Sequence, residues 1–168
     1  MQLRSAEPAD AGQIASVHVR SWQVGYRGLL PDEYLDRLRP EDRAGRYVLG
    51  TADPSLPHTV VAVVKGAICG FATTAPARDS DSQGCGELCA LYVDPPCWSR
   101  GVGRALLSAA ERRLAVQGFD HGVLWVLVGN ERAQRFYQAH GWAPDGARRM
   151  DQVWGATVDE VRYRRVLA

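Results

Sequence analysis

Leu91-Tyr92-Val93-Asp94-Pro95-Pro96-Cys97-Trp98-Ser99-Arg100-Gly101-Val102-Gly103-Arg104-Ala105-Leu106-Leu107 decides how this chain is read. An apolar strand pattern runs into a proline turn, and the loop Ser99–Arg104 then opens an amphipathic helix. A helix start presents unpaired backbone N–H groups and the positive end of the macrodipole, which suits a phosphate or pyrophosphate. Gly101 and Gly103 lack Cβ atoms, so the backbone can approach an anion closely. A Walker A loop would need Lys and then Ser or Thr after its last glycine, but Ala105 follows Arg104. A dinucleotide fingerprint would need a small residue three positions after Gly103, and Leu106 stands there. The stretch therefore implies a phosphorylated cofactor of another kind, against the plainer reading of a helix start that happens to hold two glycines.

Working outward, the strand before this loop spans Cys85 to Val93, and the helix after it carries Val102, Leu106, Ala109, Ala110 and Leu114 on one face before Gly118. Val123 to Val128 is nearly all apolar, as in a central strand buried on both faces. Asn130 caps a following helix whose Ala133, Phe136, Tyr137 and His140 share a face, with Gly141 at its C′ position. Two strands close the chain, Ala143 to Met150 and Val158 to Val166, joined around Gly155. Upstream, Gln2 to Ala6 reads as a strand. Ile14, Val17, His18, Ser21 and Trp22 mark a helix stripe. Short helices are expected over Pro31 to Leu38 and over Glu41 to Leu49. His58 to Lys65 and Ile68 to Thr74 form a tight hairpin about Gly66-Ala67. The order is β–α–α–α–β–β–β–α–β–α–β–β, with no internal repeat or linker. It predicts one α/β (α+β) domain over residues 1–168, with helices on both faces of a mixed sheet.

Composition narrows the partners. With 46% apolar residues in 168, the chain can bury a sizeable core. A formal net charge of +1, with no basic run, gives no support to nucleic-acid binding. No apolar stretch approaches the roughly 20 residues of a membrane span, and the first residues lack a signal-peptide core, so a cytoplasmic protein is expected. Cys69, Cys85, Cys89 and Cys97 contain no Cys-x-x-Cys pair, and His18, His58, His121 and His140 lack ligand spacing. Reduced thiols and no metal are the expectation.

With these elements in this order, the chain resembles the GNAT superfamily of acetyl-CoA-dependent N-acetyltransferases. Two segments carry the likeness. Leu91-Tyr92-Val93-Asp94-Pro95 with Arg100-Gly101-Val102-Gly103-Arg104-Ala105-Leu106 is similar to that family's pyrophosphate motif. Asn130-Glu131-Arg132-Ala133-Gln134-Arg135-Phe136-Tyr137 with Gly141-Trp142 resembles its cofactor-side helix. The chain departs from the pattern at Trp98, where Gln or Arg is usual, and at Ser99, where glycine is common.

The resemblance implies a twisted, mostly antiparallel sheet of about seven strands and acetyl-CoA as cosubstrate. It places Ser99, Arg100, Gly101, Val102, Gly103 and Arg104 around the pyrophosphate. Leu91, Tyr92 and Val93 would pair their backbone with the pantetheine amides as an added strand, and Asn130 would hydrogen-bond the same arm. Acetyl transfer to an amine needs the amine neutral, which for a lysine-like ammonium costs about 4–5 kcal/mol at pH 7. Glu87, in the strand that carries a basic glutamate in many family members, is the candidate general base, directly or through water. Tyr137 is the candidate general acid for the departing thiolate. Both have plainer readings, an outward strand carboxylate and a core aromatic. Trp22 and Tyr26 are weaker candidates for an acceptor pocket. Asp32, Glu33 and Trp154 are weaker still. By family habit a homodimer is plausible. The competing class is a non-catalytic acyl-CoA-binding or sensing module of the same fold, against which the presence of both Glu87 and Tyr137 weighs.

Overall fold

Alternation along the central strands sorts the apolar side chains onto two faces, and the helices follow. In a computed structural model describing residues 1–167, the strands are β1 (Gln2–Ser5), β2 (His58–Val64), β3 (Ala67–Pro76), β4 (Gly86–Val93), β5 (His121–Leu127), β6 (Ala143–Val153) and β7 (Ala156–Val166). Ala62, Ala72, Leu88, Leu124 and Val126 face one side and bury against Leu106, Leu107, Ala110 and Tyr137. Their chain neighbours Val61 and Phe71 face the other side and bury against Ile14 and Val17. The helices are α1 (Ala11–Gly25), α2 (Asp32–Arg37), α3 (Glu41–Ala44), α4 (Val102–Val116) and α5 (Glu131–Ala139). Thus α1 covers one face of the sheet, while α4 and α5 cover the other.

All seven strands belong to one sheet of order β1-β2-β3-β4-β5-β7-β6. Every pairing is antiparallel except β4 with β5, which run parallel. That parallel contact is brief. Only Gly86–Gly122 and Glu87–Val123 pair, and the two strands then diverge toward their C-terminal ends. Glycine leaves room for the core side chains at this pivot. A Cβ on Gly86 would lie 2.6 Å from a Leu114 methyl, and one on Gly122 would lie 2.8 Å from the Trp142 ring.

A second irregularity sits just above the pivot. Thr73 pairs with Ala90 and Thr74 with Leu88, so Cys89 is an extra residue in β4. Such a bulge reverses the inward and outward alternation beyond it. Glu87 and Tyr92 consequently share the α1 face, while Leu88, Leu91 and Val93 pack toward α4.

Three expectations are corrected in detail. The helix expected over Glu41 to Leu49 ends at Ala44, with Gly45 at its C-cap. Tyr47 and Leu49 instead reach the α1-side core from irregular backbone, beside Ile14 and Phe71. Cys85 precedes β4 rather than lying in it, and β5 starts at His121. Among the described residues, no helix is long and apolar enough to cross a membrane.

Candidate active site

The divergence of β4 from β5 leaves a cavity of about 630 Å³, running from the start of α4 to the space beneath α1. Its first wall is the loop that α4 needs in order to begin. Ser99 and Gly101 take left-handed backbone angles, φ of +59° and +79°, and Gly101 is the N-cap. The first intrahelical bond runs from the Ala105 N–H to the Gly101 carbonyl at 3.0 Å. The N–H groups of Val102, Gly103 and Arg104 therefore have no carbonyl within the helix to satisfy them, the arrangement an anion fills.

Ser99, Gly101, Gly103 and Arg104 line the cavity. The Arg100 side chain is exposed outside it, and the Val102 side chain is buried in the core. Trp98 has a definite position: its indole N–H donates to the Val93 carbonyl at 2.7 Å. The Arg132 guanidinium lies 3.4 Å from the Trp98 ring centroid, so a stacked arginine stands at the groove beside the departure from the usual pattern. The whole loop is tied to α1 by Arg20, whose guanidinium donates twice to Asp94, at 2.8 Å each.

The second wall is the β4 edge, Leu88 to Val93, left without a partner strand by the divergence. Opposite it stands α5. Asn130 caps that helix by accepting from the Ala133 N–H at 3.2 Å, which leaves its amide N–H groups for the cavity it lines. Tyr137 is 8% exposed, and its hydroxyl makes no hydrogen bond to another described residue. Burial, reinforced by the neighbouring Tyr92, raises its phenol well above the ordinary range.

Beyond Tyr137 the lining changes character. Glu87 lies in the cavity, its carboxylate hydrogen-bonded to no other described residue. Burial raises its carboxyl above the usual glutamate range. Arg149 pulls it back down, and Asp79 adds to the rise. Trp22, Tyr26 and Tyr92 form the aromatic side, with the Tyr26 and Tyr92 hydroxyls 3.3 Å apart. Behind them His18 is sealed in the core, stacked on Tyr92 at 4.5 Å and bonded to the Tyr47 hydroxyl at 3.0 Å. Burial, aided by the Arg43 charge, lowers the His18 imidazole to about 3, so it is neutral near pH 7 and does not act as a titrating base.

Of the residues expected at the site, all but Arg100, Val102, Asp32, Glu33 and Trp154 line one cavity. Sequence reasoning missed Glu160, on β7, and Arg149, on β6, which line its far end. Each looked like the polar half of an alternating strand, and nothing in its own segment marks it out. Trp154 packs, tilted and edge-on, in the aromatic cluster with His18 and Trp22 rather than lining the cavity. Asp32 and Glu33 sit exposed on α2. No group of three or more His, Cys, Asp or Glu side chains is placed to hold a metal among the described residues.

A forked sheet, a helix N-terminus at its open end and an acidic pocket beyond define an acyl-transferase type of architecture. Residues 16–142 match the acetyltransferase (GNAT) family, and the chain belongs to it. It is 34% identical to the uncharacterised N-acetyltransferase YuaI of Bacillus subtilis, over 82% of this chain and 78% of that protein. The same fold is seen in the PaiA N-acetyltransferase of Thermoplasma acidophilum in complex with coenzyme A. That match has a TM-score of 0.70, 19% identity and coverage of 98% of both chains. It recurs in YncA, a putative acetyltransferase of Salmonella typhimurium with its cofactor acetyl-CoA, at a TM-score of 0.72 and 21% identity. There the match covers 100% of this chain and 94% of that one.

Proposed function

We propose that this protein transfers an acetyl group from acetyl-CoA to a primary amine, by direct attack within a ternary complex. The observation that carries the reading is the continuity of one cavity. It joins the bare α4 amides, the unpaired β4 edge, Tyr137 and Glu87 in the order that pyrophosphate, pantetheine, sulfur and amine require. Its charge runs the same way. Arg104, Arg132 and Arg135 line the cofactor end, while Glu87 and Glu160, against the single guanidinium of Arg149, leave the other end net negative.

The amides of the Ser99–Arg104 loop hold the diphosphate. The backbone of Leu91, Tyr92 and Val93 pairs with the pantetheine arm, assisted by the Asn130 amide. Bound in this way, acetyl-CoA supplies the activated thioester. Glu87, in its ionised form, takes the proton that the amine loses as its nitrogen bonds to the carbonyl carbon. Tyr137 donates its phenolic proton to the sulfur as the carbon–sulfur bond breaks, and regains one from solvent. The products are the amide and free coenzyme A, with the amine's proton leaving by way of Glu87.

Release of the coenzyme thiol, assayed across a panel of amines, tests the reading. Amine-dependent release with matching N-acetyl product supports it. Tight acetyl-CoA binding without turnover on any amine would favour the sensing module.

A further inference from the structure

We infer that the acceptor is a protonated primary alkylamine with an apolar or aromatic body and no carboxylate beside its nitrogen, and that Glu160 selects it. The inference rests on the N-acetyltransferase reading and assigns its second substrate.

Strand register puts the selecting group in place. Glu160 on β7 pairs with Leu127 on β5 and with Arg149 on β6, and cross-strand partners present their side chains to the same face. Glu87 pairs with Val123, two positions from Trp125 and four from Leu127, so it stands on that face too. Both carboxylates line the cavity. One oxygen of Glu160, Oε2, accepts from Arg149 Nε at 3.0 Å, and its other oxygen has no partner among the described residues. Ionised carboxylate oxygens only accept, so what completes this end must bring hydrogen-bond donors, and an ammonium group brings three together with the complementary charge.

The same geometry excludes an amino acid. Arg149 is fully engaged: it bonds Glu160, lies 3.5 Å from Asp79 and 3.4 Å from Asp151, and stacks over the Trp125 ring at 4.1 Å. Trp125 is itself held by its N–H bond to Asp79 at 2.9 Å. The other arginines lining the cavity, Arg104, Arg132 and Arg135, belong to α4 and α5 at the cofactor end. A substrate carboxylate placed beside the reacting nitrogen would meet Glu87 and Glu160, and the one uncommitted cation near them among the described residues, Arg78, lies outside the cavity lining. The rest of this end is Trp22, Tyr26, Leu127, Val153 and Val158, which offers contact to an apolar body and, to a second anion, no charge and only a tyrosine hydroxyl.

The test compares substrates differing only by that carboxylate: 2-phenylethylamine against phenylalanine, and pentylamine against norleucine. Expected is a kcat/KM at least about a hundredfold higher for each plain amine, the scale set by bringing like charges together in a half-closed site. Glu160→Gln should raise the KM for the plain amines roughly 10- to 100-fold, the loss of one charge-assisted hydrogen bond, while kcat and acetyl-CoA affinity barely move. Equal use of the amino acids would overturn the inference and leave acetyl transfer standing. An unchanged amine KM in Glu160→Gln would remove that residue's role. Silence on every amine by a chain that still binds coenzyme A would overturn both readings. The substrate comparison uses the unaltered chain, so it holds whether or not the variant folds.

Discussion

Glu87 and Tyr92 lie five positions apart in β4 yet face the same side of the sheet, because the bulge at Cys89 shifts the alternation between them. Without that extra residue an odd separation would put them on opposite faces. The bulge therefore aims the carboxylate and the phenol into one pocket. The parallel pivot below it, Gly86–Gly122 and Glu87–Val123, opens the groove that leads there. The shape of this pocket and the aim of Glu87 into it are the product of two departures from regular sheet.

Glu87→Gln is expected to lower kcat/KM most steeply toward low pH. With Glu87 ionised, the enzyme accepts the abundant ammonium form: Glu87 passes its first proton to solvent, which frees the lone pair, and then takes the second proton on attack. The glutamine variant depends on free amine, which falls tenfold for each unit below the amine's own value. The wild-type acid limb should lie above the ordinary glutamate range, since burial raises the Glu87 carboxyl. Rate profiles on both proteins check this, and a loss equal at all pH values would assign Glu87 a positioning role. The same shift makes a stability prediction. A carboxyl raised on folding favours the native state at low pH and costs stability as pH rises through its folded value. Glu87→Gln should therefore melt higher than wild type near pH 8, with the difference vanishing near pH 4.

Tyr137→Phe should lower kcat by roughly 10²-fold, at the low end of general-acid effects, and leave acetyl-CoA affinity within about twofold. The ring packs in the core beside Trp142, and that packing is kept. Single-turnover kinetics with calorimetry separate the two quantities. Unchanged kcat would remove the acid role.

Much of this arrangement was legible in the sequence, for identifiable reasons. The stretch Leu91–Leu107 predicts its strand, its loop and α4 because glycine and proline punctuation is local chemistry, and the Asn130 cap is equally local. The α3 expectation failed past Ala44 because helical spacing continues through Tyr47 and Leu49, while the core offers those side chains a better site from irregular backbone. The Cys89 bulge leaves no mark in β4, since a bulge is defined only by the partner strand. Glu160 and Arg149 were hidden for the same reason: their meaning arises from the register of three strands distant in sequence. His18 sits on the α1 stripe as expected, but only the fold surrounds it with Trp22, Tyr47, Phe71, Tyr92 and Trp154.

His18 predicts an acid-sensitive fold. Its imidazole is held down at about 3 by burial, whereas an unfolded chain's histidine titrates near 6.5. Protons therefore bind the unfolded state first. The stability this residue contributes is complete above about pH 6.5 and is lost as pH falls from there toward about 3. Denaturant titrations from pH 7.5 to 4.5 should show that decline, and His18→Phe, which keeps a buried ring, should flatten it. Parallel curves for the two proteins would contradict the assignment.

The central claim is that the start of α4 and the unpaired edge of β4 hold acetyl-CoA, and calorimetric titration with coenzyme A tests it most directly. The account predicts saturable binding by the wild-type chain. It also predicts marked weakening in Gly101→Val, where a β-branched side chain must take a φ of +79° at a cost of about 1–2 kcal/mol and disturb the amides around the diphosphate. Absence of measurable binding by the wild-type chain, or unaltered affinity in a folded Gly101→Val variant, would contradict it.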